Sequence, residues 1–277
     1  MNQPGSTVCP NCGRLVSLNS TNCFNCGFPI RKNRFFQQLF GPGFDIIQGI
    51  VYFCSGIYII SLLFDPSAIF QMGGLFRILS PSSKAIILLG GTGTYSVFQL
   101  GYFWTPLTAI FLHGGILHIL FNMLWTRQIG YIVKDLYGIY RFILIFIISG
   151  VIGFIASILA GHQLTLGASG SIFGLLGALV YYGRTRGGFF GQNIYKQTGI
   201  WAIVLFAFGL IMPGVDNFAH GGGFIGGYLT AMLVSFTENY HEKTWHQYLG
   251  LGLIIITVLA FGFHIISFLY FKLAYAF

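Results

Sequence analysis

Ser169 stands among small residues, in Gly167-Ala168-Ser169-Gly170, at the head of an apolar segment from Ser171 to Tyr182 that meets no charge until Arg184. Such a serine has two uses. Small residues let membrane helices approach closely. A serine hydroxyl is also a nucleophile when a base lies within reach. His220 is the candidate base. It opens a glycine-rich run, His220-Gly221-Gly222-Gly223, that continues to Gly226-Gly227, and both Gly223/Gly227 and Gly222/Gly226 have the GxxxG spacing. The segment after Ser169 offers its own small face: Gly167, Gly170, Gly174 and Ala178. If these faces pack together, His220 comes within reach of Ser169, takes its proton, and the serine attacks a carbonyl.

His118 and Asn122 are four residues apart and share one helix face. With the backbone N–H of Ser169 they form a candidate oxyanion hole. His113, with the Gly114-Gly115 turn, sits at the mouth of the same segment. His113 and His264 are read as structural histidines that make a hydrogen bond, and His162 as a loop residue. Asp216 lies four residues before His220. Its place suits a helix cap, where a carboxylate meets the N-terminal dipole, better than a third triad member. The chemistry implied is therefore that of a Ser–His dyad.

The elements that must position these residues are apolar spans. Of the 277 residues, 55% are hydrophobic and 7% charged, against about 25% charged in a soluble domain. A polytopic, all-α membrane protein follows. Seven spans are expected near 45–64, 115–133, 140–160, 169–183, 198–212, 217–236 and 248–271. The connection 65–112 is too long for a plain loop. With Phe70, Phe76, Tyr95, Phe98, Tyr102, Phe103 and Trp104, it is expected to be a structured lateral element at the membrane interface. Polar residues in spans are costly and mark function; Ser169, His220, His118 and Asn122 fall at one depth.

Charge sets the expected orientation. With the N-terminus in the cytosol, the inner segments hold Arg14, Arg31, Lys32, Arg34, Arg127, Lys134, Arg141, Arg184, Arg186, Lys196 and Lys243, and the outer ones Arg77, Lys84 and Lys272. This favours N-terminus in and C-terminus out. A bacterial-type plasma membrane is the expected location. No basic patch interleaves with aromatics, so no nucleic-acid partner is expected. The polar first thirty residues do not read as a cleavable signal peptide.

Residues 1–30 form a unit of their own. Cys9-Pro10-Asn11-Cys12-Gly13 and Cys23-Phe24-Asn25-Cys26-Gly27 are two CxxCG knuckles, and four thiolates so spaced can close a tetrahedral shell around Zn²⁺. A cytosolic zinc ribbon is expected, with a protein partner in the cytosol. Residues 31–44 are a basic juxtamembrane linker. Cys54, in the first span, is read as an inert core thiol.

Three motifs in order resemble the rhomboid family of intramembrane serine proteases. His113-Gly114-Gly115-Ile116-Leu117-His118-Ile119-Leu120-Phe121-Asn122 resembles the family's second-helix motif, Gly167-Ala168-Ser169-Gly170 its fourth-helix GxSG, and His220 with Gly223 and Gly227 its sixth-helix motif. The resemblance covers about residues 45–236. It implies a six-helix core, to which residues 237–277 add a loop and a seventh helix. It implies Ser169 as nucleophile, His220 as base, and His118, Asn122 and the Ser169 amide as oxyanion donors, with Phe173 packed on the histidine. The substrates implied are membrane-spanning segments, and catalysis needs no cofactor. The family's first loop often carries Trp-Arg; here Trp104 is followed by Thr105-Pro106. The fifth span, with Trp201, Phe206 and Phe208, and the loop Met212-Pro213-Gly214 are gate candidates. Two rival readings remain: a catalytically silent rhomboid-like protein that binds membrane clients, and a transporter with a polar pathway through the same residues.

Overall fold

The computed structural model describes residues 5–9, 14–17, 20, 22–25, 45–66, 78–238 and 242–274. Cys12, Cys26, the basic residues Arg31, Lys32 and Arg34, and Phe70 and Phe76 lie outside them. The chain divides into two compact units, residues 1–49 and 50–277.

The first unit contains an antiparallel hairpin of β1 (Ser6–Val8) and β2 (Leu15–Ser17), with Ser6 opposite Ser17 and Val8 opposite Leu15. Just past β1, the Cys9 N–H donates to the Arg14 carbonyl at 2.8 Å. Cys9 and Cys23 are both buried. Among the described residues no group of three or more His, Cys, Asp or Glu side chains is arranged to hold a metal.

Seven long helices follow among the described residues: α1 (Ile46–Phe64), α2 (Ile116–Tyr137), α3 (Ile139–Leu159), α4 (Ser169–Arg186), α5 (Gly188–Ile211), α6 (Asn217–Val234) and α7 (Thr244–Ala274). Their order and approximate bounds are those expected from hydropathy, except that α5 begins ten residues earlier than the apolar stretch. Its first turns carry Gln192, Asn193 and Lys196. Gln192 and Lys196 are good helix formers, and all three are too polar to register as a span. Gly187, at φ +65°, makes the reversal from α4 into α5 that few other residues tolerate.

Helix α4 is the hub. It packs most extensively on α6, and also on α3, α5 and α2. α6 packs almost as extensively on α3. α7 lies against α3 and against the short helix Thr105–Thr108. Four helices, α1, α3, α5 and α7, are long and apolar enough to cross a membrane; a fifth span results if Thr105–Phe111 and Ile116–Tyr137, which meet at 91°, are taken together. α4 and α6 have the length but are diluted by glycine and polar residues. They can be so because neighbouring helices, not lipid, cover much of their surface. The chain is a multi-pass membrane protein.

The described part of the 65–112 connection is structured, as its aromatic content implied. It runs through a short helix, Ser83–Leu88, a turn of π-helix, Tyr95–Gln99, and two turns, Thr105–Thr108 and Ala109–Phe111. Ser82 caps the short helix by accepting the Ala85 N–H at 3.2 Å. The lateral element is stitched by its own hydroxyls. Thr108 Oγ1 donates to the Gly90 carbonyl at 2.6 Å, and Ser96 Oγ to that of Gly91 at 2.6 Å.

Candidate active site

Ser169 is the first residue of α4 and is half-buried. The chain reaches it through Gly167, whose φ of +119° suits only glycine. The Gly167 N–H donates to the Ala109 carbonyl at 2.9 Å. A Cβ on Gly167 would lie 2.7 Å from His118 Nε2. The His118 ring therefore rests directly on the backbone that leads into Ser169, and glycine is needed there for two reasons at once.

On the other side of that ring, His118 Nδ1 accepts the Gly114 N–H at 3.2 Å. A neutral imidazole that accepts at Nδ1 carries its proton on Nε2. The N–H thus faces the Gly167–Ser169 segment. Asn122, one turn further along α2, is buried, and its Nδ2 donates to the His118 carbonyl at 2.8 Å. One amide proton of Asn122 remains for another acceptor. His113 meets the His118 ring edge-on at 5.2 Å. It is buried, and the Phe111 backbone is the hydrogen-bonding group that acts on its ring.

His220 lies one turn into α6 and is buried. Its ring stacks on Phe173 with centroids 4.3 Å apart and planes 16° from parallel. Phe173 is four residues after Ser169, so the imidazole covers the face of α4 that bears the serine. The close approach has a backbone cause. A Cβ on Gly223 would overlap the Gly170 carbonyl, and one on Gly227 would overlap the Gly174 backbone. The glycine faces read from GxxxG spacing are in direct contact. Phe206 of α5 closes over the stack, 6.5 Å from Phe173 and edge-on. Trp201 of α5 meets Trp125 of α2 at 5.2 Å.

The Ser169 hydroxyl makes no hydrogen bond to His220 or to any other described residue. Catalytic hydrogen bonds are often long before a substrate arrives. His220 Nδ1 is buried and has no hydrogen-bond partner among the described residues; Asp216 acts on the imidazole only through its charge.

Asp216 is occupied elsewhere. One of its oxygens accepts the Ala219 N–H at 3.0 Å and caps α6. The other accepts Thr165 Oγ1 at 2.8 Å and the Ser157 hydroxyl. One carboxylate thereby joins α3, the segment entering α4, and the start of α6. The cap was legible in the sequence; the two hydroxyls on it were not. Across from Thr165 lies Thr92. The two exchange backbone hydrogen bonds, Thr92 N–H to Thr165 O at 3.2 Å and Thr165 N–H to Thr92 O at 2.7 Å. A single-residue bridge has no periodicity, so nothing in the sequence pattern marks it.

With this geometry in view, the chain can be set beside known proteins. Residues 100–237 match the Rhomboid domain. That match covers 138 of the 277 residues, just under half of the chain. It is 36% identical over 152 residues to the Rhomboid protease GluP of Bacillus subtilis, an overlap of 55% of this chain and 30% of that protein. It is 34% identical over 165 residues to RHOMBOID-like protein 4 of Arabidopsis thaliana, covering 59% and 42%. It is 34% identical over 154 residues to the Rhomboid-like protease 5 of Toxoplasma gondii, covering 54% and 18%. The chain thus spans less than two thirds of each of these relatives. The matched residues contain all four residues of the candidate site, while the N-terminal hairpin, α1 and all of α7 lie outside them.

Proposed function

We propose that the rhomboid domain is an intramembrane serine endopeptidase acting through a Ser169–His220 dyad. The observation that carries this is the stack of His220 on Phe173 one turn from Ser169, on helices whose glycines touch. A membrane-spanning substrate enters between helices and unwinds to present an amide. Ser169 Oγ attacks its carbonyl carbon as His220 takes the hydroxyl proton. The oxyanion is met by the His118 Nε2–H, the free amide proton of Asn122 and the Ser169 N–H. His220 then hands its proton to the leaving amine, and the C–N bond breaks. Water, deprotonated by His220, hydrolyses the acyl-enzyme. No metal or cofactor enters these steps. Two names among the relatives say protease, which agrees with the reading.

The test is cleavage of a model transmembrane substrate by the reconstituted full chain. Ser169→Ala and His220→Ala are expected to lose activity, and a fluorophosphonate to label wild type but not Ser169→Ala. Equal cleavage by all three proteins would end the protease reading in favour of a client-binding one.

The zinc ribbon rests on the two CxxCG knuckles. Its support is the backbone hydrogen bond from Cys9 to Arg14 and the burial of Cys9 and Cys23. Cys9, Cys12, Cys23 and Cys26 would hold the ion, as a structural site of four thiolates. One zinc per chain is expected in purified protein, falling to none in Cys9→Ser/Cys12→Ser with cleavage activity retained. An unchanged zinc content in that variant would refute the ribbon. A cytosolic protein partner for this unit is part of the same proposal.

A further inference from the structure

We propose that His264, on the seventh helix, is a positioning residue for Ser169: it holds the lateral element whose Thr92 edge braces the segment leading into the nucleophile. This rests on the protease reading.

His264 is buried, far along α7, and a histidine there is costly unless it is paired. Both its nitrogens are used. Nδ1 accepts the indole N–H of Trp104 at 3.3 Å, and Nε2, which must then carry the proton, donates to the Ile87 carbonyl at 2.9 Å. Tyr102 packs edge-on against the imidazole at 5.0 Å, and Trp104 against Phe263 at 4.5 Å. One side chain of α7 thus grips the lateral element at two points: the end of its short helix and its tryptophan.

From those points the path to Ser169 is short and polar. Trp104 precedes Thr105, whose hydroxyl lies 3.0 Å from that of Thr92. Ile87 precedes Gly90, whose carbonyl accepts Thr108 Oγ1. Thr92 pairs with Thr165 through both backbone hydrogen bonds, Thr94 N–H donates to His162 O at 2.8 Å, and a Cβ on Gly93 would overlap the Gln163 carbonyl. Residues 162–165 therefore form an edge laid along 92–94, and Ser169 follows four residues later. Here Thr105 occupies the place of the arginine that often follows tryptophan in the resembling first loop. Its hydroxyl donates to the Tyr102 carbonyl at 2.8 Å and lies against that of Thr92, and the tryptophan is held from outside the domain match, by α7.

The experiment uses the reconstituted full chain, a fluorophosphonate and the model substrate. For labelling, the rate constant and the final extent are read separately. His264→Phe keeps a ring against Tyr102 and loses both hydrogen bonds. It is expected to reach the wild-type extent of labelling, with the labelling rate constant and kcat lowered together by between about tenfold and a hundredfold, the scale on which misplacing a reacting group acts. KM should stay within about twofold. His264→Gln, which keeps a donor and an acceptor, should recover most of the rate. Trp104→Phe deletes the indole N–H and should lower the rate too, with less than additive loss in the double variant.

Wild-type rates in His264→Phe would overturn the proposal. So would a reduced extent of labelling at an unchanged rate constant, which marks α7 as support for the fold alone. If His264→Phe does not accumulate, the same two readings on Trp104→Phe and His264→Gln decide. Absence of labelling and cleavage in the wild type is a different failure: it removes the protease reading and this one with it.

Discussion

At the scale of single residues, Gly167 carries two constraints that can be separated. Its φ of +119° strains any side chain, and its missing Cβ leaves room for His118 Nε2. Gly167→Ala should displace the imidazole, the proposed oxyanion donor, and lower kcat by about 10² to 10³, the usual effect of losing one such donor. Ala168→Gly, next to it, adds no atom and should do much less. Steady-state cleavage of the model substrate by the two variants checks this, and similar losses in both would show that backbone freedom, not the histidine, matters here. Ser169, His220, His118 and Asn122 were legible because an apolar chain makes each polar residue conspicuous, and Gly167 because its motif sits beside the serine. Asp216 was legible as a cap. Its grip on Thr165 and Ser157 was not, because those contacts span 51 and 59 residues of sequence. His264 was legible as a histidine needing a partner. That the partner is Trp104, 160 residues away, depends on how α7 folds back on the lateral element.

At the scale of helices, α4 and α6 touch at backbone distance, and this contact sets the spacing of the proposed dyad. Gly223→Ala puts a methyl group where the Gly170 carbonyl is. A close-packed interface has no slack for it, so overpacking should cost about 1–3 kcal/mol, and α6 must shift along or away from α4. His220 rides on α6, so cleavage should fall by more than the loss of folded protein accounts for. Thermal unfolding and cleavage measured on the same preparation distinguish these. Gly221 is the control, since a Cβ there meets only the edge of Phe206 at 3.9 Å; Gly221→Ala should keep near wild-type stability. The GxxxG spacing announced this contact correctly. The spacing could not say which helices carry lipid-facing surface. Hydropathy favours α1, α3, α5 and α7, and it undervalues α4 and α6 because their glycines are apolar in effect only once another helix covers them.

At the scale of the whole molecule, the arrangement of charge makes a prediction that the packing does not. With the N-terminus placed in the cytosol, the inner segments would hold Arg127, Lys134, Arg141, Arg184, Arg186, Lys196 and Lys243 as well as the four basic residues before α1, and the outer side three basic residues. Since Lys and Arg near span ends are retained in the cytosol, the turn after α3 should face outward and the end of α4 inward. Both places offer exposed positions, Ala160 and Thr185. In a chain whose five native cysteines are changed to serine, a membrane-impermeant maleimide applied to intact cells should label Ala160→Cys and leave Thr185→Cys untouched until the membrane is opened. The reverse pattern would invert the molecule. It would place the CxxCG knuckles outside, where thiols are prone to pair as disulfides, and would put the Ser169 end of α4 towards the cytosol. The zinc proposal and the side on which substrates are cut thus stand or fall with one labelling experiment, although neither was used to predict its outcome.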